Sequence, residues 1–295
     1  MAPARFPAAV AFHSHFDAAV TRPRNAPAPI VFAHANGFPA GTYRLLLEAW
    51  RRAGHTLHAI ERFGQDPAWP VGDNWPRLRD QLIAFIEREV AAKDRPAWLV
   101  GHSLGGIVCL MLASQRPDLV RGIVLLDSPL IAGWRAHALH MMKRSGLIER
   151  IAPVRVALAR RHAWPSRAAV LAHFQAKRAF ARWDSRVLAD YVTSGFVRRG
   201  RQTVLAIERE LEARIYATLP HHIGPLLRRH PIRCPVAFIG GRQSVEVRQA
   251  GLEATRRLAG RHFMWTEGSH LFPMEHPELT AAQVLAMLVG MASED

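Results

Sequence analysis

Residues 97–106, Ala97-Trp98-Leu99-Val100-Gly101-His102-Ser103-Leu104-Gly105-Gly106, decide the fold. An apolar run of strand length leads into Gly-x-Ser-x-Gly, and an apolar helical stretch follows from Leu104 to about Gln115. A serine between a buried strand and a helix sits in a sharp, strained turn. Gly101 and Gly105 must therefore lack side chains for strand and helix to approach. Ser103 then stands at a helix N-terminus, where free backbone N–H groups favour developing negative charge. Gly-x-Ser-x-Gly alone is a weak signal. In this strand–turn–helix setting it is specific, and it marks Ser103 as a candidate nucleophile.

Outward from this stretch the chain alternates strand and helix. Towards the N-terminus the pattern predicts a strand at Ala8–His13, a turn near Arg22–Pro29 and a buried strand at Ile30–Ala33. A helix at Tyr43–Arg52, a strand at His55–Ile60, a Pro/Gly loop at Phe63–Asn74 and an amphipathic helix at Trp75–Ala92 follow. Beyond the motif, Gly122–Asp127 is a continuous apolar strand of the kind buried on both faces of a parallel sheet. From Leu130 to about Arg229 only helical patterning is read. Alternation resumes with a strand at Pro235–Gly240, a helix at Glu246–Leu258, a strand at His262–Thr266 and a helix at Pro277–Met291. The expected architecture is a doubly wound, mostly parallel α/β core formed by residues 1–129 and 231–295. A helical insertion at 130–230 interrupts it.

Composition bounds the class. The 295 residues are 49% hydrophobic, with a mean hydropathy of −0.03, enough for a sizeable core. No apolar run is long enough to span a bilayer, and the N-terminus lacks the design of a secretory signal. Cys109 and Cys234 give neither a disulfide framework nor metal spacing, so a cytoplasmic protein is expected. The net charge is +15, and the segment 130–230 holds 19 Lys and Arg against six Asp and Glu, a net of +13. With no nucleic-acid module in sight, arginine-rich solvated helix faces are the first reading of this surplus. An acidic substrate is the second, and nucleic acid is ranked last.

Serine needs a base, and Glu267-Gly268-Ser269-His270-Leu271-Phe272-Pro273-Met274-Glu275-His276-Pro277 places His270 after the last strand, at the same sheet edge as Ser103. A serine motif followed late by histidine resembles the α/β-hydrolase superfamily, and the resemblance covers nearly the whole chain. The Gly-x-His before Glu-x-Pro, and Asn36-Gly37-Phe38-Pro39 after the strand Ile30–Ala33, are similar to its cap-bearing branch. The resemblance implies a helical cap, or lid, inserted after the sixth core strand. Epoxide hydrolases and haloalkane dehalogenases of that branch carry aspartate at the nucleophile position, so Ser103 argues for acyl chemistry.

The same resemblance implies backbone donors for a tetrahedral oxyanion: Leu104, and either Asn36 or Phe38 according to the register of the loop, the run Pro39-Ala40-Gly41-Thr42-Tyr43 fitting the Phe38 register better. It usually implies an aspartate in the loop after the strand Val236–Ile239, but here that loop reads Gly240-Gly241-Arg242-Gln243-Ser244-Val245-Glu246, with uncharged Gln243 or Ser244 at the expected position. Asp127, at the end of the strand Gly122–Asp127, and Glu246 are the two substitutes. Asp127 is preferred because a carboxylate at a strand's C-terminal end points into the catalytic crevice.

Other polar and aromatic residues have simpler readings. His34 and His102 are read as hydrogen-bonding scaffold, His276 as a helix-start residue and His221-His222 as a surface pair. Trp134, Trp164 and Trp183 are read as packing. No metal-ligand spacing is found, and no cofactor is expected. The expectation is a serine hydrolase acting on a carboxylic ester or thioester through an acyl-serine intermediate, with a small-molecule acyl substrate. An acyltransferase on the same residues and a non-catalytic ligand-binding protein are the alternatives, the latter motivated by Gln243 at the usual acid position. Oligomeric state is not assigned.

Overall fold

Alternate residues along each central strand project to opposite faces of one sheet, and both faces are apolar. In the computed structural model, which describes residues 27–90 and 96–293, Ile30 and Phe32 pack on one side and Val31 and Ala33 on the other. The sheet has six parallel strands in the order β2-β1-β3-β4-β8-β9. These are β1 (Ile30–Ala33), β2 (Leu57–Ala59), β3 (Ala97–His102), β4 (Val120–Leu126), β8 (Val236–Gly241) and β9 (Phe263–Thr266). This is the α/β-hydrolase fold anticipated from the sequence.

Helices cover both faces. On one side α1 (Arg44–Arg52) and α13 (Pro277–Ala292) bury Leu46, Trp50, Val284 and Leu288 against Phe32, Trp98 and Val124. On the other, α2 (Pro76–Glu89) and α3 (Leu104–Gln115) bury Leu78, Leu82 and Val108 against Val31, Leu99 and Leu125. Each fully buried Leu, Val or Ile contributes about 1.5–3 kcal/mol of transfer free energy, so these two apolar layers dominate the stability of the core.

Between β4 and β8 lies the inserted segment. Its helices are α4 (Gly133–Arg144), α5 (Ala152–Ala159), α6 (Arg167–Gln175), α7 (Ser185–Ser194), α8 (Arg209–Ala217) and α9 (Ile223–Arg229). Where its sequence pattern predicts helices alone, the segment also carries strands. β5 (Ala163–Trp164), β6 (Phe196–Arg199) and β7 (Gln202–Leu205) form a three-stranded antiparallel sheet in the order β5-β7-β6. Arg199 pairs with Gln202 across a two-residue turn whose first residue, Gly200, has φ +59°. Arginines on this hairpin hide its apolar alternation. Phe196, Trp164, Phe174 and Tyr191 make the segment's own core, which merges with the α1/α13 side of the main core.

The expected helix Glu246–Leu258 is α10 (Val245–Ala250) and α11 (Glu253–Ala259), broken at Gly251, φ +82°. Trp75 precedes α2 in a left-handed conformation, and Pro76 takes the first helical position, where its missing N–H costs nothing. The expected strand Ala8–His13, the start of the turn Arg22–Pro29 and the end of the helix at Ala92 fall outside the described residues. Among the described residues, no helix is long and apolar enough to cross a membrane.

Candidate active site

Ser103 joins β3 to α3 with φ +53° and ψ −114°, a conformation that a non-glycine residue adopts only under strain. The close approach predicted for the motif is physical. A Cβ on Gly105 would lie 2.0 Å from the carbonyl oxygen of Ala33 in β1, so any side chain there would push α3 off the sheet. The Ser103 amide donates to the carbonyl of Leu126 at 3.0 Å, which ties the turn to the end of β4.

The residue after Leu126 is Asp127. Its side chain is completely buried, and its φ of +44° turns the chain out of the strand at the sheet's C-terminal edge. Oδ1 accepts from the Gly241 amide at 2.7 Å, and Oδ2 accepts from Ser244 Oγ at 2.6 Å. Oδ2 also accepts from His270 Nδ1 at 2.6 Å, and His270 Nε2 stands 3.0 Å from Ser103 Oγ. Ser103, His270 and Asp127 thus form one row of hydrogen bonds across the ends of β3, β4 and β9. Glu246 is 4.0 Å from His270 Nδ1 and half exposed, beyond hydrogen-bond reach. Burial disfavours a charge on His270, but the hydrogen bond and charge of Asp127, and then the charge of Glu246, outweigh it. The imidazole pKa is raised above its ordinary 6.5.

The loop carrying the histidine is held from both sides. Glu275 accepts from Ser269 Oγ at 2.6 Å through Oε1 and from the Ser269 amide at 3.0 Å through Oε2. On the other side, His102 Nε2 donates to the His270 carbonyl at 2.9 Å. That bond fixes the tautomer, so Nδ1 accepts from the Tyr43 hydroxyl at 2.7 Å, and the Tyr43 oxygen in turn accepts from the Ala35 amide at 3.2 Å. Burial, then the nearby His270, push the His102 pKa down to about 3, so this ring stays neutral. His34 is pushed down to about 4, mainly by burial, and its Nδ1 donates to the Ala35 carbonyl at 2.8 Å. Both histidines are scaffold, as their place beside glycine turns suggests.

After β1 the chain turns at Ala35–Phe38. The Phe38 amide donates to the Ala35 carbonyl at 3.2 Å and is used up in that turn. Asn36 sits at the second position of the turn, whose amide is not one of the turn's own bonds. Leu104 is the first residue of α3, and its amide has no acceptor within the helix. Of the histidines read as simple, His276 stands at the start of α13, in the N-cap position but with no side-chain capping bond. His221 and His222 are partly exposed and their rings pair edge to face at 6.4 Å, and His221 also reaches α4, with Nδ1 3.0 Å from Lys143 Nζ and its ring 4.4 Å from that of His140. Trp164 and Trp183 are buried, whereas Trp134 is 71% exposed, with the Arg135 guanidinium 4.7 Å from its ring centroid.

Three residues of this arrangement escaped sequence reasoning: Ser244, Glu275 and Tyr43. Glu275 lies in the quoted Glu-x-Pro, so a signal existed. Ser244 stands at one of the two positions where the resemblance expects the aspartate, whereas Tyr43, the residue before α1, carried no signal. Asp127, Glu246 and His270 also bring one nitrogen and two carboxylate oxygens within 4.8 Å of one another. The Asp127 carboxylate in that group already accepts from three protein donors, one on Oδ1 and two on Oδ2.

With this geometry in place, comparison with known proteins fixes the family. The alpha/beta hydrolase family profile matches residues 30–283, and the chain belongs to that family. The esterase Rv0045c of Mycobacterium tuberculosis is 32% identical over 100 residues, covering 33% of this chain and 32% of that protein. The chain therefore aligns with about a third of the length of this curated relative. Solved structures extend the likeness over the whole fold. An E-2-(acetamidomethylene)succinate hydrolase superposes with a TM-score of 0.69 at 20% identity, over 89% of this chain and 91% of its own. The structure of the M. tuberculosis esterase gives 0.63 at 21% identity, over 88% and 85%. At these identities the likeness in structure is one of fold.

Proposed function

We propose that the protein is a serine hydrolase that cleaves a carboxylic ester or thioester. The observation that carries the reading is the row Ser103 Oγ–His270 Nε2 at 3.0 Å and His270 Nδ1–Asp127 Oδ2 at 2.6 Å. Neutral His270 takes the Ser103 proton at Nε2 as Oγ attacks the acyl carbon. Asp127 holds the ring in the tautomer with the proton on Nδ1 and stabilises the imidazolium that forms. The amides of Leu104 and Asn36 receive the tetrahedral oxyanion, and we assign Asn36 over Phe38 because the Phe38 amide is spent on Ala35. The imidazolium returns its proton to the departing alcohol or thiol, leaving an acyl-serine. Water, activated by the same histidine, then releases the acid and restores Ser103.

Gln243 at the usual acid position, the motive for a non-catalytic reading, loses its force. The loop that lacks the aspartate supplies Gly241 and Ser244 as donors to Asp127 instead. We read the inserted segment as a cap over the site. Of its 19 Lys and Arg, Arg160, Arg182, Arg186, Arg199 and Arg209 are paired with carboxylates, and we assign the remaining surplus to solvated faces rather than to an anionic substrate. The test is a series of p-nitrophenyl esters and acyl thioesters of increasing chain length. Turnover of at least one by the wild type, lost in Ser103→Ala and in His270→Ala, supports the reading. Equal turnover by Ser103→Ala refutes it.

A further inference from the structure

The loop after β1 is clasped by the inserted segment. Asn36 Nδ2 donates to the Glu212 carbonyl at 3.0 Å. Gly37 has φ +82°, and a Cβ there would lie 3.1 Å from both Cδ and Oε1 of Glu212, so the Glu212 carboxylate rests directly on the loop. The Phe38 ring packs against Trp183 and Tyr191, with centroids 5.5 and 5.4 Å away. Further along, Thr42 Oγ1 meets Ser194 Oγ at 3.3 Å and Arg44 Nε donates to Asp190 at 2.8 Å. From Asn36 to Arg44 the partners in these contacts come from α7, α8 and the residues beside them.

Glu212 is the chemically awkward member of this set. It is buried, and its carboxylate sits beside the backbone to which we assign an oxyanion donor. A bare carboxylate there would repel the negative charge developing on the substrate. At a distance of a few ångströms in a partly desolvated site, such a repulsion costs roughly one to two orders of magnitude in rate. Arg160, at the end of α5, forms an ion pair with Glu212 Oε2, and its second terminal nitrogen donates to the Tyr191 hydroxyl at 2.7 Å. Tyr191 is the residue whose ring meets Phe38. One guanidinium therefore touches both groups that shape the loop.

We propose that Arg160 and Glu212 form a positioning pair for the oxyanion loop, in which Glu212 fixes Asn36 and Gly37 from above and Arg160 cancels the charge this brings. The inference rests on the serine-hydrolase reading and adds to it that the cap completes the oxyanion site. A cap that lifted from this loop would take its support away.

The test compares wild type, Arg160→Gln, Glu212→Gln, Arg160→Lys and the double variant Arg160→Gln/Glu212→Gln as full chains. The readouts are kcat and KM on one ester that the wild type hydrolyses, the pH profile, and Tm. Arg160→Gln leaves the carboxylate bare and is expected to lower kcat roughly tenfold to hundredfold, somewhat less than deleting an oxyanion donor outright. KM and the acid limb set by His270 stay in place. Glu212→Gln alone costs less than Arg160→Gln, Arg160→Lys keeps most of the activity, and the double variant recovers most of the loss. A purely structural pair would instead lower Tm without rescue in the double variant.

The inference is overturned if folded Arg160→Gln keeps kcat within threefold of wild type, or if the double variant is as slow as Arg160→Gln. Should Arg160→Gln fail to fold, the double variant decides, with near-wild-type kcat in support and a loss beyond tenfold against. A wild type that turns over no ester and no thioester refutes the hydrolase reading itself, which separates the two failures.

Discussion

Ser244 donates its hydroxyl proton to Asp127 Oδ2 at 2.6 Å, although the two lie 117 residues apart. The same oxygen of Ser244 accepts from the Val247 amide at 3.1 Å, so it caps α10 while holding the carboxylate. The loop after β8 and the end of β4 are thereby joined in one polar network with His270.

Asp127, and not Glu246, is expected to support His270. Asp127→Asn should lower kcat by about 10⁴-fold, the scale seen when a buried orienting aspartate is neutralised. Glu246→Gln should change kcat by less than about threefold, since exposed charges at 4 Å contribute little. Steady-state kinetics of the two variants on one substrate check this, and a larger loss in Glu246→Gln would reverse the assignment.

Ser244→Ala removes one of the hydrogen bonds to the buried carboxylate and the cap of α10. A charge-assisted bond of this kind is worth about 1.5–3 kcal/mol. The variant should therefore lose Tm and also slow turnover, because Asp127 is left less well fixed. Scanning calorimetry and kinetics on the same preparation measure the two losses. A variant unchanged in both would remove Ser244 from the network.

On the proposed mechanism the pH dependence follows from His270, which must be neutral to accept the Ser103 proton. Its pKa is raised above 6.5, so kcat/KM of the wild type should fall as pH drops through a value above 6.5. In Asp127→Asn burial acts with far less opposition, and the residual activity should hold to lower pH. For stability the sign is opposite to that of an acid. The favourable His270–Asp127 interaction is fully present below pH 6.5 and is lost as pH rises through the folded-state value. An acid limb of kcat/KM below 6.5 would contradict the assignment.

His102 and His34 give a separate signature in acid. Both are fully buried, with pKa values near 3 and 4 against 6.5 in the unfolded chain. Above pH 6.5 neither state binds the proton. Below it only the unfolded state does, so stability falls as pH drops toward 4 and then 3. The loss is about 1.4 kcal/mol per pH unit for each imidazole. Urea unfolding between pH 7 and 4 measures the slope, and His102→Gln, which retains a donor, should reduce it by about one proton.

The sequence reveals most of the core and the less surprising part of the site. Strands buried on both faces write continuous apolar runs, so β1, β3, β4 and β8 are legible. Ser103 is legible because the glycines around it report close backbone approach, and His270 because a base must follow at the same sheet edge. The insert's hairpin was missed because Arg198 and Arg199 interrupt its apolar pattern, and Gly200 alone marks a turn without saying what it joins. The choice between Asn36 and Phe38 was equally out of reach, since it depends on which amide the Ala35 carbonyl captures. Contacts between distant residues, such as Arg160 with Glu212 and Tyr43 with His102, leave no trace in local pattern.

The most direct measurement of an activated Ser103 is the intact mass of the protein after reaction with a small fluorophosphonate, alongside Ser103→Ala. One phosphonyl adduct on the wild type, absent from Ser103→Ala and much slower to form in His270→Ala, is the expected result. No adduct on the folded wild type, or an equal adduct on Ser103→Ala, would contradict a nucleophilic serine at the end of β3.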